Sequence, residues 1–250
     1  THLPLPSYDL WEERHGVLTF TASTVYGGLV AAANFTGLFG ETDLSDEYSE
    51  GAAELKEAMV KHLYLPEKKR FCRMIGYGTG DKPEIDDTID ASLYGIFAFG
   101  AFPADDEKVR NTMQQVHETL WCQTQGGGIA RYEDDQYYRI TESVPGNPWF
   151  VTTLWLAQYH IANSRTKQDL EKAMAIMEWV SDHALPSGVL AEQVNPLDNS
   201  PLSVSPLTWS HATFVAAVQE YLNKLVEIER CPACGHSVMS KRNTGSGRTA

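Results

Sequence analysis

Residues 149–162 read Trp149-Phe150-Val151-Thr152-Thr153-Leu154-Trp155-Leu156-Ala157-Gln158-Tyr159-His160-Ile161-Ala162. Drawn as a helix, this stretch is apolar almost all round, so it belongs inside the protein with no face left for water. Residues 25–39 (VYGGLVAAANFTGLF) and 89–102 (IDASLYGIFAFGAF) have the same character. Other stretches carry one-sided stripes at helical spacing: Ala52, Leu55 and Met59; Val109, Met113, Val116 and Leu120; Leu170, Ala173, Met174, Met177 and Val180. These should set one face on a core and the other in solvent. A last stretch, with Phe214, Val215, Val218, Tyr221, Leu222 and Leu225, has a wide stripe between the two kinds.

The pattern predicts an all-α protein with seven helices, at residues 20–38, 46–64, 87–100, 105–122, 148–163, 167–183 and 206–228, and no long alternating strand. Asn147-Pro148 and Ser205-Pro206 each pair a capping side chain with proline at the first helical position. Asp105 and Asp106 place negative charge at the positive end of the fourth helix. Buried and half-exposed helices alternate along the chain, as when an inner ring is wrapped by an outer one and the chain steps in and out. The inner helices then run parallel and share one face for their N-termini. The loops entering that face are long and chemically rich: YDLWEERHG (8–16), GTGDKPEIDD (78–87), RYEDDQYYRITESVPGN (131–147) and LAEQVNPLDNSPLSVS (190–205). Long loops gathered on one rigid face are where a site is expected.

The chain has 250 residues and a formal net charge of -13. That charge disfavours nucleic acid, whose binding needs a concentrated basic surface. No apolar run approaches the roughly 20 residues of a membrane helix, and the opening THLPLPSYDLWEERHG lacks the apolar core of a secretory signal. The chain opens without Met, which reads as a processed chain or part of something longer. Of four cysteines, Cys72 and Cys122 are scattered and Cys231 and Cys234 form Cys-Pro-Ala-Cys, which is not a disulfide scaffold and favours a reducing, cytoplasmic setting.

Carboxylates, aromatics and a few basic groups crowd the face loops, a mixture suited to sugars. Ring faces stack on pyranose C–H faces, and planar charged groups hydrogen-bond hydroxyls. Cleaving a glycosidic bond needs two carboxyls, one protonated to assist the leaving oxygen and one ionised to activate water or attack. Tyr8-Asp9-Leu10-Trp11-Glu12-Glu13 resembles the general-acid segment of glucoamylases, the family 15 glycoside hydrolases. Arg131-Tyr132-Glu133-Asp134-Asp135-Gln136-Tyr137-Tyr138, followed by Gly146-Asn147-Pro148-Trp149-Phe150, resembles their substrate-binding segment. Glu192-Gln193, followed by Pro206-Leu207-Thr208-Trp209-Ser210, resembles their general-base segment. The resemblance covers roughly residues 5–228 and keeps the family's order. It implies Glu12 as general acid and Glu192 as general base, acting on α-glucans with inversion and without a cofactor. It implies Trp11, Glu13, Arg131, Asp134 and Trp149 as substrate-binding residues. Each also has an ordinary reading as a solvated charge, a local ion pair or a core aromatic.

The family fold is an (α/α)6 toroid of twelve helices, so about seven make it incomplete. The first helix should then leave one apolar flank open. The remaining helices would come from a longer parent protein, from a separate chain, or through self-association. Two rival readings remain: a non-catalytic helical module that binds sugar or a partner chain, and a Mg²⁺-dependent isoprenoid-type enzyme using Asp86, Asp87 and Asp90, residues that also read as an N-cap cluster. Cys231-Pro-Ala-Cys234-Gly235-His236 resembles half of a structural zinc site, in a polar tail at 231–250 expected to be flexible beyond a catalytic portion at 1–230.

Overall fold

The computed structural model describes residues 1–76 and 84–230. Helices α1 (Thr19–Leu38), α3 (Gly95–Ala98, preceded by a 3₁₀ turn at Ala91–Tyr94), α5 (Phe150–Asn163) and α7 (Thr208–Ile228) form the inner arc. Helices α2 (Thr42–His62), α4 (Glu107–Leu120) and α6 (Lys167–Asp182) alternate with them on the outside. This is part of an (α/α)6 toroid. Short strands line the end from which the inner helices start. β1 (Ser7–Tyr8), β2 (His15–Leu18), β5 (Met74–Gly76) and β6 (Glu84–Asp86) form an antiparallel sheet in the order β1-β2-β5-β6. β3 (Tyr64–Leu65) pairs with β4 (Arg70–Phe71), and β7 (Gln193–Val194) with β8 (Pro201–Leu202). β2 runs straight into α1, and the β7–β8 hairpin precedes α7, so both hairpins sit at the same end of the arc.

Local chemistry starts the outer helices. Asp106 caps α4 by accepting from the Lys108 amide, and Thr166 with Asp169 forms a reciprocal capping box on α6. Tertiary packing holds the inner ones. In α5, every residue from Phe150 to Ala157 is buried, with Phe150, Val151 and Leu154 at 0% exposure. Each such side chain contributes roughly 1.5–3 kcal/mol relative to leaving it in water.

Three expectations need correction. The third helix does not span residues 87–100. Asp90 bridges Tyr132 in antiparallel fashion, and the Ala91 amide donates to the Arg131 carbonyl at 2.7 Å, so pairing with a distant loop keeps the segment before Ala91 extended. The caps of α5 and α7 are Trp149 and Leu207, not Asn147 and Ser205. The Asn147 amide is committed elsewhere, to the Tyr138 carbonyl and Gln193, both at 2.8 Å. Helix α1 is not buried all round as its composition alone suggests; it leaves open the apolar flank expected of an incomplete ring, with Val25, Phe35 and Leu38 exposed. It packs on α2 and α3 and ends one side of the arc, while α7, with exposed Val215 and Leu222, ends the other.

Two consequences can be measured. Leu154→Ala should cost about 2–5 kcal/mol of stability, read as a lower denaturant midpoint, because a fully enclosed site closes poorly around a void. Burial, with the positive charge of neighbouring His117 and Lys172, pushes the His160 imidazole down to about 4. An unfolded histidine titrates near 6.5. Between these values the unfolded chain holds the extra proton, so stability falls as pH drops from about 6.5 toward 4. His160→Gln should flatten that part of a Tm–pH curve.

Candidate active site

The hairpin β1–β2 pairs Tyr8 with His15, leaving residues 9–14 as its loop. Asp9, 7% exposed, organises that loop. Its amide donates to the Arg14 carbonyl at 2.8 Å, its carbonyl accepts from the Glu12 amide at 3.1 Å, and its carboxylate accepts from the Glu13 amide at 2.8 Å. The tight turn forces Glu12 to φ +60°, a left-handed conformation costly for a residue with a side chain. The three residues at the tip therefore go three ways. Trp11 is buried and donates to Asp90, Glu13 turns to Arg131, and Glu12 is exposed.

Arg131 is the hub. It is 4% exposed, and its guanidinium binds Asp135 through Nε and Nη2, both at 2.7 Å, and Glu13 through Nη2 at 3.0 Å. Four rings surround the cation: Trp11, Tyr132, Tyr137 and Trp149, with centroids 4.9–5.2 Å from the guanidinium carbon. Nη1 has no hydrogen-bond partner among the described residues. Burial alone would favour losing the charge, but Asp135, Tyr132 and Glu13 outweigh it and hold Arg131 firmly protonated. Partial burial of Glu13 opposes its ionisation. The Tyr132 hydroxyl and the Arg131 charge prevail, so the Glu13 carboxyl lies below its ordinary range. Glu13 is thus an anion that accepts hydrogen bonds, unsuited to deliver a proton near neutrality.

Glu192 enters from the strand side. Its amide donates to the Val204 carbonyl at 2.8 Å, and its carbonyl accepts from the Phe150 amide at 3.4 Å. On its carboxylate, Oε2 accepts from the Ser203 hydroxyl and from Gln193 Nε2, the latter at 3.3 Å. Gln193, fully buried, is itself oriented by the Asn147 amide at 2.8 Å, so one oxygen of Glu192 is fixed, while the other has no hydrogen-bond partner among the described residues. Trp149 joins the two halves. Its ring lies 6.0 Å from Trp11, and its backbone bridges Gln193. Trp155 and Trp209 complete the aromatic floor, 5.9 and 6.1 Å from Trp11.

The structure thus gathers Trp11, Glu13, Arg131 and Trp149 into one cluster, with Glu12 and Glu192 on segments attached to it. Asp134 is not in that cluster. Its carboxylate is 89% exposed and lies 3.6 Å from Arg139, while its neighbour Asp135 is the buried partner of Arg131. Sequence reasoning named neither Tyr132 and Tyr137 as part of the cage nor Ser203 and Gln193 as partners of Glu192. The acids of Asp86-Asp87-x-x-Asp90 are each engaged: Asp86 with Arg73, Asp87 with Lys68, and Asp90 with Trp11. No group of three His, Cys, Asp or Glu able to hold a metal ion occurs among the described residues. Cys231 and Cys234 lie outside them. No helix among the described residues is long and apolar enough to cross a membrane.

Residues 2–219 match the family Glycosyl hydrolases family 15. The chain belongs to this family. An uncharacterized glycosyl hydrolase of Methanocaldococcus jannaschii is 31% identical over 225 residues, covering 86% of this chain and 34% of that protein. A glucoamylase of Clostridium sp. is 25% identical, covering 85% of this chain and 33% of its own length. Among solved structures, a bacterial glucoamylase complexed with acarbose superposes with a TM-score of 0.72 at 22% identity, covering 86% of this chain and 35% of that one. The family 15 chain described here therefore shares their fold and spans about a third of the length of the relatives it matches.

The two adjacent acids of the binding loop separate cleanly by mutation. Asp135→Asn leaves the buried Arg131 short of a counter-charge and should cost about 3–5 kcal/mol in stability, read by denaturant unfolding. Asp134→Asn should stay within about 0.5 kcal/mol of the parent.

Proposed function

We propose that this chain carries the catalytic carboxylates of an inverting, exo-acting α-glucosidase that releases glucose from starch-like oligosaccharides, working within a longer toroidal protein. Glu12 protonates the glycosidic oxygen as its bond to the anomeric carbon breaks. Glu192 takes a proton from the water that attacks the same carbon from the opposite face. Configuration inverts, and both carboxyls return to their starting state by exchange with solvent. Inversion calls for roughly 6.5–9.5 Å between the two carboxyls, enough for that water. The free Nη1 of Arg131 and the ionised Glu13 would hydrogen-bond sugar hydroxyls, while Trp11 and Trp149 present ring faces.

One observation carries this reading. Two loops far apart in sequence, one carrying an exposed acid with no side-chain partner among the described residues and one carrying an oriented carboxylate, are both tied to Trp149, the first through the Trp11 ring and the second through the Gln193 backbone. A solvated surface pair would have no need of that shared anchor. Similarity to a glucoamylase supports the substrate class. The chemistry needs no metal. The exposed apolar flanks of α1 and α7 support completion by further helices of the same protein.

The test uses the complete polypeptide with maltose, isomaltose and trehalose. Maltose should be cleaved fastest, and proton NMR should show β-glucose as the first product. Glu12→Gln and Glu192→Gln should each lower kcat by about 100-fold or more, the scale of a lost general acid or base. Sugar binding without turnover in the parent would favour a non-catalytic module. Unchanged turnover in both variants would overturn the assignment of the two acids.

A further inference from the structure

We infer that Asp90 is a positioning residue for the general acid: from the core side it grips the Trp11 indole and so fixes the turn that presents Glu12. The inference rests on the role proposed for Glu12. Asp90 is 1% exposed. Trp11 Nε1 donates to both of its oxygens, at 3.2 and 3.1 Å, and the Ser92 amide donates to Oδ1 at 2.8 Å. Arg73 Nη1 lies 3.8 Å from Oδ2, and Arg73 itself is 4% exposed. Burial raises the Asp90 carboxyl, but the Ser92 amide, Arg73 and the Trp11 indole all act against that rise.

The arrangement exceeds what burying an indole requires. Trp149 Nε1 is buried in the same cluster with no hydrogen-bond partner among the described residues, so an indole N–H there can be held without an acceptor from them. A buried carboxyl is a costly acceptor by comparison, and what it adds is a bond of defined direction, with both oxygens facing the indole N–H. That direction reaches the acid turn. Asp90 lies in the backbone ladder that holds Arg131 and Tyr132, which clasp Glu13. Trp11 and Glu13 are therefore both tied to one frame, and Glu12 stands between them at φ +60° with no side-chain bond of its own among the described residues. No other contact among the described residues holds its carboxyl in line, so loosening Trp11 should misplace the proton donor. Trp11→Phe removes only the indole N–H from this frame. Asp90→Asn sets an amide donor where the Trp11 indole and the Ser92 amide donate, and removes the anion beside the Arg73 cation.

The experiment compares two leaving groups in the complete polypeptide. An ordinary sugar leaving group depends on protonation, while an activated aryl α-glucoside departs with little help. Asp90→Asn should lower kcat on the preferred glucosyl disaccharide by about 10–100-fold, as expected for a displaced catalytic group. On the aryl glucoside the loss should stay under about threefold. Trp11→Phe also changes a ring that faces the sugar, so it should lose turnover on both substrates, but more on the disaccharide by about the ratio seen for Asp90→Asn, and the double variant should not widen that ratio, since both break one interaction. Equal losses on both substrates, or ratios that multiply in the double variant, would show a general structural defect and overturn the inference. So would wild-type kcat on the disaccharide. Should Asp90→Asn fail to fold, Trp11→Phe gives the same discrimination with the Asp90–Ser92 contact intact. Glu12→Gln is the control: if its losses ignore the leaving group, Glu12 is not the proton donor, and that failure is visible whatever Asp90 does.

Discussion

A guanidinium held away from water is the constraint around which the site is built. Arg131 cannot shed its charge, and taking it out of water costs several kcal/mol unless anions meet it in good geometry. Asp135 and Glu13 meet it, and four aromatic rings close around it. These partners come from the β1–β2 hairpin, the 131–138 loop and the start of α5. Satisfying one buried cation therefore pulls together three segments that have no local reason to meet. The Glu12 turn and the Glu192 strand inherit their places from that convergence, the first through Trp11 and the second through Trp149 with Gln193.

The helical arc supplies the rigid seat for this cluster. Inner helices whose N-termini share an end bring their entry loops together, and α5, enclosed by α6 and α7, fixes Trp149 at its first turn. The arc's ends remain apolar, at Val25, Phe35 and Leu38 on α1 and Val215 and Leu222 on α7. Faces of this kind are covered in a finished protein, which agrees with a chain that spans about a third of its relatives' length.

The alternation of fully apolar and one-striped helices was legible because it depends only on the helical period. The positions of α1, α2 and α4 to α7 follow from it to within a few residues. What depended on partners far along the chain was not legible. Residues 87–90 look like a helix start, yet residues 89–91 pair with residues 131–133 and the segment stays extended. Asp134 and Asp135 are adjacent and chemically identical, and only the path of the turn, with Asp134 at φ +58°, decides which one reaches Arg131. Asp86, Asp87 and Asp90 look like a metal motif because their basic partners, Arg73 and Lys68, are invisible as partners in one dimension. Glu12 and Glu192 were singled out only by resemblance to a family, since nothing in local spacing marks either one.

The most direct test is a crystal structure of the complete protein with a glucose-configured iminosugar, whose ring nitrogen mimics the developing positive charge. The sugar ring should sit against Trp11 and Trp149, with Arg131 Nη1 on its hydroxyls. Glu12 and Glu192 should flank the ring nitrogen on opposite faces. An inhibitor bound away from Arg131, or the two carboxylates on one side of it, would contradict the account.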